Sequence, residues 1–356
     1  MSRSAPVVDV RDIDAGALGR SLVAAGIASG ALRALRSLPA GEWPGGMSEL
    51  VRLALDWDGD GPETLVAKQA ARGDRTRATA GFMRMYEREV AFYEQLAPRS
   101  PLAAPDCHHA AFDGESRRFL LLLADRRADR ALDELAGCSI DDARTVVAAM
   151  GGLHAEFHDA PPALGDALLP ALGTQWYATC WSQLLAATWE PAATIHADLT
   201  DSGTRALGDA LIAGTEPVLA RLSRGPRTLC HGDLRADNLL LGADGVLRAV
   251  DWQLMHRSRG VCDLGYFMAV SLELDVRRRH HDELVELYVD AYGRVDRATL
   301  LDELRDAAAA AFMIPVIASA ALDLQDARGV AVCRTTYRRA AAFADDLDCV
   351  ARLAAG

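Results

Sequence analysis

The stretch LCHGDLRADNLLLGADGVLRAVDW, from Leu229 to Trp252, constrains the fold more than any other part of the chain. A short apolar run leads into a polar loop, HGDLRADN (His231 to Asn238). Apolar residues then flank the turn GADG (Gly242 to Gly245), which reads as a β-hairpin. In an antiparallel hairpin the first residue of one strand lies beside the last residue of the next. Asn238 and Asp251 are therefore expected to meet as two oxygen ligands. Hard oxygen donors suit Mg²⁺, which keeps several waters and binds substrate phosphates as well. Asp233 precedes Asn238 by five residues, on the loop entering the hairpin. A carboxylate there can accept the proton of an attacking hydroxyl. His-x-Asp-x-x-x-x-Asn, followed by a strand-terminal Asp, is a spacing used for phosphoryl transfer.

Length and composition fit this reading. The 356 residues are half hydrophobic and a quarter charged, enough for two globular domains. A net charge of −12 argues against nonspecific nucleic-acid or anionic-membrane binding, so no partner of either kind is expected. The seven cysteines form no CxxC, which disfavours a disulfide framework or zinc site. The start, MSRSAPVVDVRDIDAG, lacks the apolar run of a secretory signal, and a cytoplasmic location is expected. The longest apolar run, Ala307 to Leu322, is short for a membrane span and contains Pro315. It reads as a buried, kinked helix.

Lys68 is the only lysine in the chain. It lies in ETLVAKQA, which pairs across the turn DGDG (Asp58 to Gly61) with the alternating strand LVRLALDW. A helix over Thr79 to Leu96 follows. Its stripe of Phe82, Met85, Tyr86, Glu89, Tyr93 and Leu96 places Glu89 on the inward face. A buried carboxylate needs a partner, and Lys68 is assigned to it. CHHAAF and RFLLLLA form a second hairpin across DGES, and a strand is expected near Ala31 to Leu38. In GEWPGGMSE, Gly45, Gly46 and Ser48 offer backbone and hydroxyl groups to phosphates. Beyond Asp125 the pattern is helical. Ser139 and Asp142 resemble a capping box that opens a helix to about His158.

HGDLRADN together with VDWQ resembles the aminoglycoside phosphotransferase and choline kinase superfamily, which shares the protein-kinase-like fold. DWQ followed by DLGYFM (Asp263 to Met268) is most similar to its ecdysteroid-kinase-like branch. The resemblance runs from about Gly41 to Phe267. It implies a bilobal α/β (α+β) fold, with a small antiparallel-sheet lobe and one helix over 1–124, and a larger, mainly helical catalytic lobe over 125–356. ATP and Mg²⁺ are implied. Lys68 would contact the α- and β-phosphates with Glu89 behind it, and Gly45, Gly46 and Ser48 would cover them. The backbone of Leu123, Ala124 and Asp125 would bond adenine. Asp233 would be the base, and Asn238 and Asp251 the metal ligands. The protein-kinase Asp-Phe-Gly is here Asp251-Trp252-Gln253, which argues against an activation switch of that type.

The expected reaction is transfer of the γ-phosphoryl of ATP, with GTP as an alternative, to a small-molecule hydroxyl. Candidate acceptors are an aminoglycoside or another hydroxylated antibiotic, a sterol-like alcohol, or an amino alcohol such as choline. The rival class is a nucleotide-binding pseudokinase, which predicts a broken constellation. His231 and Asp263 are read as supports of the Asp233 loop. Arg235 is read as a phosphate contact or an ion pair. His154 and His158 are read as packing rather than a metal pair, and His280 and His281 as a solvated helix face. Trp176, Tyr177, Trp181 and Trp189 with Asp198 and Asp201 are candidates for the acceptor pocket. There the aromatics could clamp an apolar or sugar-like face and the acids could bind amines, although core packing explains most of them equally well.

Overall fold

The computed structural model describes residues 8–38, 47–159, 164–320 and 326–355. They form two compact units, residues up to 99 with 104–128, and residues 100–103 with 129 onward.

The first unit begins with helix α1 (Ala15–Ala24). Strands β1 (Leu32–Ser37), β2 (Ser48–Trp57) and β3 (Thr64–Ala70) follow. Helices α2 (Asp74–Phe82) and α3 (Met85–Ala91) come next, then β4 (Cys107–Asp113) and β5 (Arg118–Ala124). The strands form one antiparallel sheet in the order β1-β2-β3-β5-β4. The alternation in β2 buries Leu53 and Leu55 against Leu65, Ala67, Leu120 and Leu122. Helix α1 covers this layer with Leu18 and Leu22 and adds to the single helix expected for the unit. Asp14 caps it, accepting from the Ala17 N–H at 2.6 Å.

The helix expected over 79–96 is broken. Arg84 takes a left-handed conformation (φ 54°) between α2 and α3, and α3 continues into a π-helical turn over Phe92–Leu96. The break resets the helical phase. Phe82 is left 65% exposed, while Met85, Tyr86, Glu89, Tyr93 and Leu96 are buried.

The second unit carries β6 (Arg130–Ala131), α4 (Ile140–Glu156), α5 (Gly165–Leu168), α6 (Gln175–Ile195) and α7 (Ser202–Arg221). Strands β7 (Thr228–Cys230), β8 (Leu239–Leu241), β9 (Leu247–Ala249) and β10 (His256–Ser258) follow. Five helices complete it: α8 (Val261–Val270), α9 (Leu274–Tyr292), α10 (Arg297–Ala320), α11 (Ala327–Asp346) and α12 (Cys349–Ala354). Ser139 caps α4, accepting from the Asp142 N–H at 3.1 Å. Helix α8 is buried almost all round, as expected of a helix apolar on every face. Helix α10 packs on α6, α8 and α11, with Pro315 inside it. Among the described residues no helix is long and apolar enough to cross a membrane.

Candidate active site

In the first unit the central strand β3 carries Lys68 between Leu50 of β2 and Leu121 of β5. Its Nζ lies 2.8 Å from Glu89 Oε1, with the two side chains 7% and 0% exposed. Taking two charges out of water is costly, so such a pair fixes geometry more than it adds stability. Ser48 opens β2 opposite Ala70 and is buried. Gly45 and Gly46 lie outside the described residues. In the connector, Leu123 pairs with Val66 and Cys107. The Ala124 N–H donates to the Asp106 carbonyl at 2.8 Å. Asp125 accepts from Arg52 Nε (2.9 Å) and Thr64 Oγ1 (2.8 Å), which ties residues just after β5 to β2 and β3. That side chain is structural, and residues 125–128 belong with the first unit.

In the second unit the polar loop leaves β7 at His231. Gly232 has φ +83°, and a Cβ there would lie 2.2 Å from the Leu254 carbonyl oxygen, so glycine is required. Buried Asp263 accepts from the backbone N–H groups of His231 (2.7 Å) and Gly232 (2.9 Å). His231 Nε2 donates to the Val250 carbonyl (3.1 Å), and its Nδ1 accepts from the Asp233 N–H (3.2 Å). Both contacts need one neutral tautomer, and burial lowers the imidazole pKa in the same sense. His231 is thus committed to holding the loop.

Asp233 Oδ2 accepts from Asn238 Nδ2 at 2.9 Å, and the same amide bonds the Asp233 carbonyl at 2.8 Å. The Tyr266 hydroxyl donates to Oδ1 at 3.1 Å. Burial raises the Asp233 pKa above the usual carboxylate value; Arg235 opposes that rise and the negative charge of Asp251 adds to it. Arg235 sits 3.5 Å from Asp233 and 3.2 Å from Asp237, which makes it an ion-pair residue of the loop.

The hairpin pairs Leu239 with Ala249, and the Val250 N–H donates to the Asn238 carbonyl at 2.9 Å. Asp251 follows in a left-handed conformation (φ 70°, ψ 60°), which Asp tolerates better than most residues. With the Asn238 nitrogen engaged by Asp233, its side-chain oxygen and the Asp251 carboxylate are two hard donors. That set fits Mg²⁺.

Sequence reasoning missed three residues here. Tyr266 lies three residues after Asp263 on α8, hence on the same face, and that spacing could have found it. The Ser271 hydroxyl accepts from the Ala236 N–H (2.9 Å) and donates to buried Glu134 (3.1 Å). No local signal marks that contact. The candidates near the acceptor pocket resolve differently from one another. Asp198 pairs with Arg334 at 2.6 Å, and Asp201 caps α7. Both acids expected to bind amines are therefore engaged. Trp189 is buried and bonds Asp209, Tyr177 is buried, and Trp176 is partly exposed. His154 contacts Tyr288 and Asp263, whereas His158 contacts Tyr292, so the two act in packing. His280 pairs with Glu283 at 2.7 Å on the surface of α9.

The phosphotransferase enzyme family model (APH) matches residues 43–309. No curated protein matches the chain. Among solved structures the chain is similar to a putative aminoglycoside phosphotransferase of Ralstonia eutropha, at 15% identity and TM-score 0.50, covering 92% of this chain and 98% of that one. It is also similar to choline kinase LicA of Streptococcus pneumoniae, at 13% identity and TM-score 0.51, covering 93% and 98%. An AMP-bound spectinomycin phosphotransferase gives 11% identity and TM-score 0.54, covering 94% and 98%. These likenesses establish the fold, and the expected ecdysteroid-kinase-like branch is not among the three. The family match takes in both β3 with Lys68 and the whole Asp233 loop and hairpin, and on it the chain belongs to the phosphotransferase enzyme family.

Proposed function

We propose that the chain moves the γ-phosphoryl of ATP, with Mg²⁺, to a hydroxyl of a small molecule in the cytoplasm. The observation that carries this reading is the Asp233 carboxylate, held on its two oxygens by Asn238 and Tyr266. Burial makes it a stronger base than a solvated aspartate. As the acceptor oxygen attacks the γ-phosphorus, its proton passes to Asp233 and ADP departs. Lys68, aimed by Glu89, would bind the α- and β-phosphates as a point charge. Ser48, with Gly45 and Gly46, would cover the phosphates. The backbone of Leu123 to Asp125 would bond adenine, through groups other than the Ala124 N–H. Asn238 and Asp251 would hold Mg²⁺, which supplies charge neutralisation when bound. An AMP complex of the spectinomycin phosphotransferase supports a nucleotide as co-substrate.

A nucleotide-binding pseudokinase is disfavoured because Lys68, Glu89, Asp233, Asn238 and Asp251 are all present. Mg²⁺-dependent hydrolysis of ATP, compared with GTP, and its loss in Asp251→Ala test the reading. Nucleotide binding without turnover on any acceptor would favour the pseudokinase.

A further inference from the structure

Within the second unit a half-open cavity of about 60 Å³ reaches the Asp233 loop. Gly232, the residue before Asp233, and Tyr266, whose hydroxyl bonds Asp233, both line it. A molecule seated there is therefore next to the proposed base. The rest of the wall is mostly apolar, with Leu172, Leu219, Leu254, Ala311, Met313 and Ile314 among its residues.

Charge around this cavity is already matched. Asp263 lines it, but its oxygens serve the His231 and Gly232 N–H groups and His154. Asp306, which precedes the lining residue Ala307, is bridged by Arg221 and Arg352. Asp198 and Asp201 are engaged as described above. An ammonium group would be stripped of water against leucine and alanine with no uncommitted carboxylate among the described lining residues to receive it, and a polyol would lose hydrogen bonds. The indole N–H of Trp181 is buried with no hydrogen-bond partner among the described residues. An indole nitrogen only donates; it exposes almost no surface here, so a ligand oxygen meets it after a small shift of the ring.

We propose that the acceptor is a neutral alcohol with an apolar body. Its apolar end fills this cavity, and an oxygen other than the reacting hydroxyl accepts from Trp181. A space of this volume holds about two water-sized groups, so it grips one end of the molecule. In the reaction the alcohol O–H proton goes to Asp233, the oxygen–phosphorus bond forms, the bond from the γ-phosphorus to ADP breaks, and a phosphate monoester leaves. The inference rests on the phosphoryl transfer proposed above.

The test uses the full chain with ATP and Mg²⁺ and four probes: androsterone (an apolar alcohol with a ketone oxygen), menthol (an apolar alcohol without a second oxygen), choline and kanamycin. Thermal shift reads binding, and mass spectrometry reads gain of one phosphoryl group. Androsterone and menthol should raise the melting temperature and be phosphorylated, and choline and kanamycin should do neither. Ala311→Glu should remove the shift by both neutral alcohols. Trp181→Phe should lower kcat/KM for androsterone about 5- to 10-fold more than for menthol, the usual worth of one hydrogen bond. Turnover of choline or kanamycin above both neutral alcohols would overturn the inference and leave the kinase reading standing. So would the absence of any shift by either neutral alcohol. Equal effects of Trp181→Phe on both would overturn the indole contact. A shift by the alcohols with no Mg²⁺-dependent use of ATP would support the cavity preference and overturn phosphoryl transfer instead.

Discussion

Asp233→Asn separates chemistry from packing at the centre of the proposed site. The carboxylate accepts from Asn238 Nδ2 at 2.9 Å and from the Tyr266 hydroxyl at 3.1 Å. An asparagine can turn its carbonyl toward Asn238 and its NH₂ toward Tyr266, whose oxygen also accepts. Both contacts then survive. The variant loses the attraction of Arg235, 3.5 Å away, but it also loses the burial penalty on a charge. These effects oppose each other, so stability should change by no more than about 1 kcal/mol. Proton acceptance cannot survive. A positioned base is worth ~10²–10⁴-fold, which is roughly 3–5 kcal/mol of barrier. A loose transition state with late proton movement favours the lower end. Single-turnover kinetics with a confirmed acceptor should show that loss, with ATP affinity by calorimetry and the unfolding midpoint near wild type. Near-normal turnover would refute the role of Asp233. Unfolding with lost ATP affinity would make Asp233 a structural residue.

Two other variants test separate parts of the account. Lys68→Arg keeps the charge but replaces a compact ammonium, 2.8 Å from Glu89, with a planar fork. Its kcat/KM for ATP should fall by up to ~10²-fold, the usual result of misplacing a group by about 1 Å, and wild-type kinetics would make Lys68 an ordinary strand residue. Burial lifts the Glu134 carboxyl from 4.5 to about 7. The folded state therefore holds its proton more tightly than the unfolded chain. That contribution to stability is full below about pH 4.5 and is lost as pH rises through 7. Glu134→Gln should flatten the decline in unfolding free energy between pH 4.5 and 7 by roughly 3 kcal/mol, and an unchanged pH profile in denaturant titrations would refute the assignment.

Elements whose cause is local could be read from the sequence. The alternation of Leu53 and Leu55, the Ser139 cap and the Asn238-to-Asp251 hairpin each depend on neighbours within a few residues. Glu89 could be assigned to Lys68 because an inward-facing carboxylate needs a cation and the chain has one lysine. The break at Arg84 leaves only a weak mark, Gly81 and the two threonines of α2, because the apolar stripe runs on past it, and a single left-handed residue changes which face is buried. Helix α1 is short, and its Leu18 and Leu22 gain meaning only from the sheet they cover. The engagement of Asp198 by Arg334 and of Glu134 by Ser271 joins residues more than a hundred positions apart. No spacing rule reaches that far. The same distance hides the apolar cavity, which α6, α8 and α10 build together with residues of the Asp233 loop.

The most direct test of phosphoryl transfer follows the label of γ-³²P ATP onto the acceptor, with Mg²⁺ and with excess chelator, in wild type, Asp251→Asn and Asn238→Ala. Asp251 offers a full charge to the metal and Asn238 a neutral carbonyl, so the aspartate change should lower transfer more. The account predicts label on the acceptor with Mg²⁺, none in chelator, and a larger loss in Asp251→Asn than in Asn238→Ala. Transfer that persists in chelator, or that Asp251→Asn leaves at the wild-type rate, would contradict it.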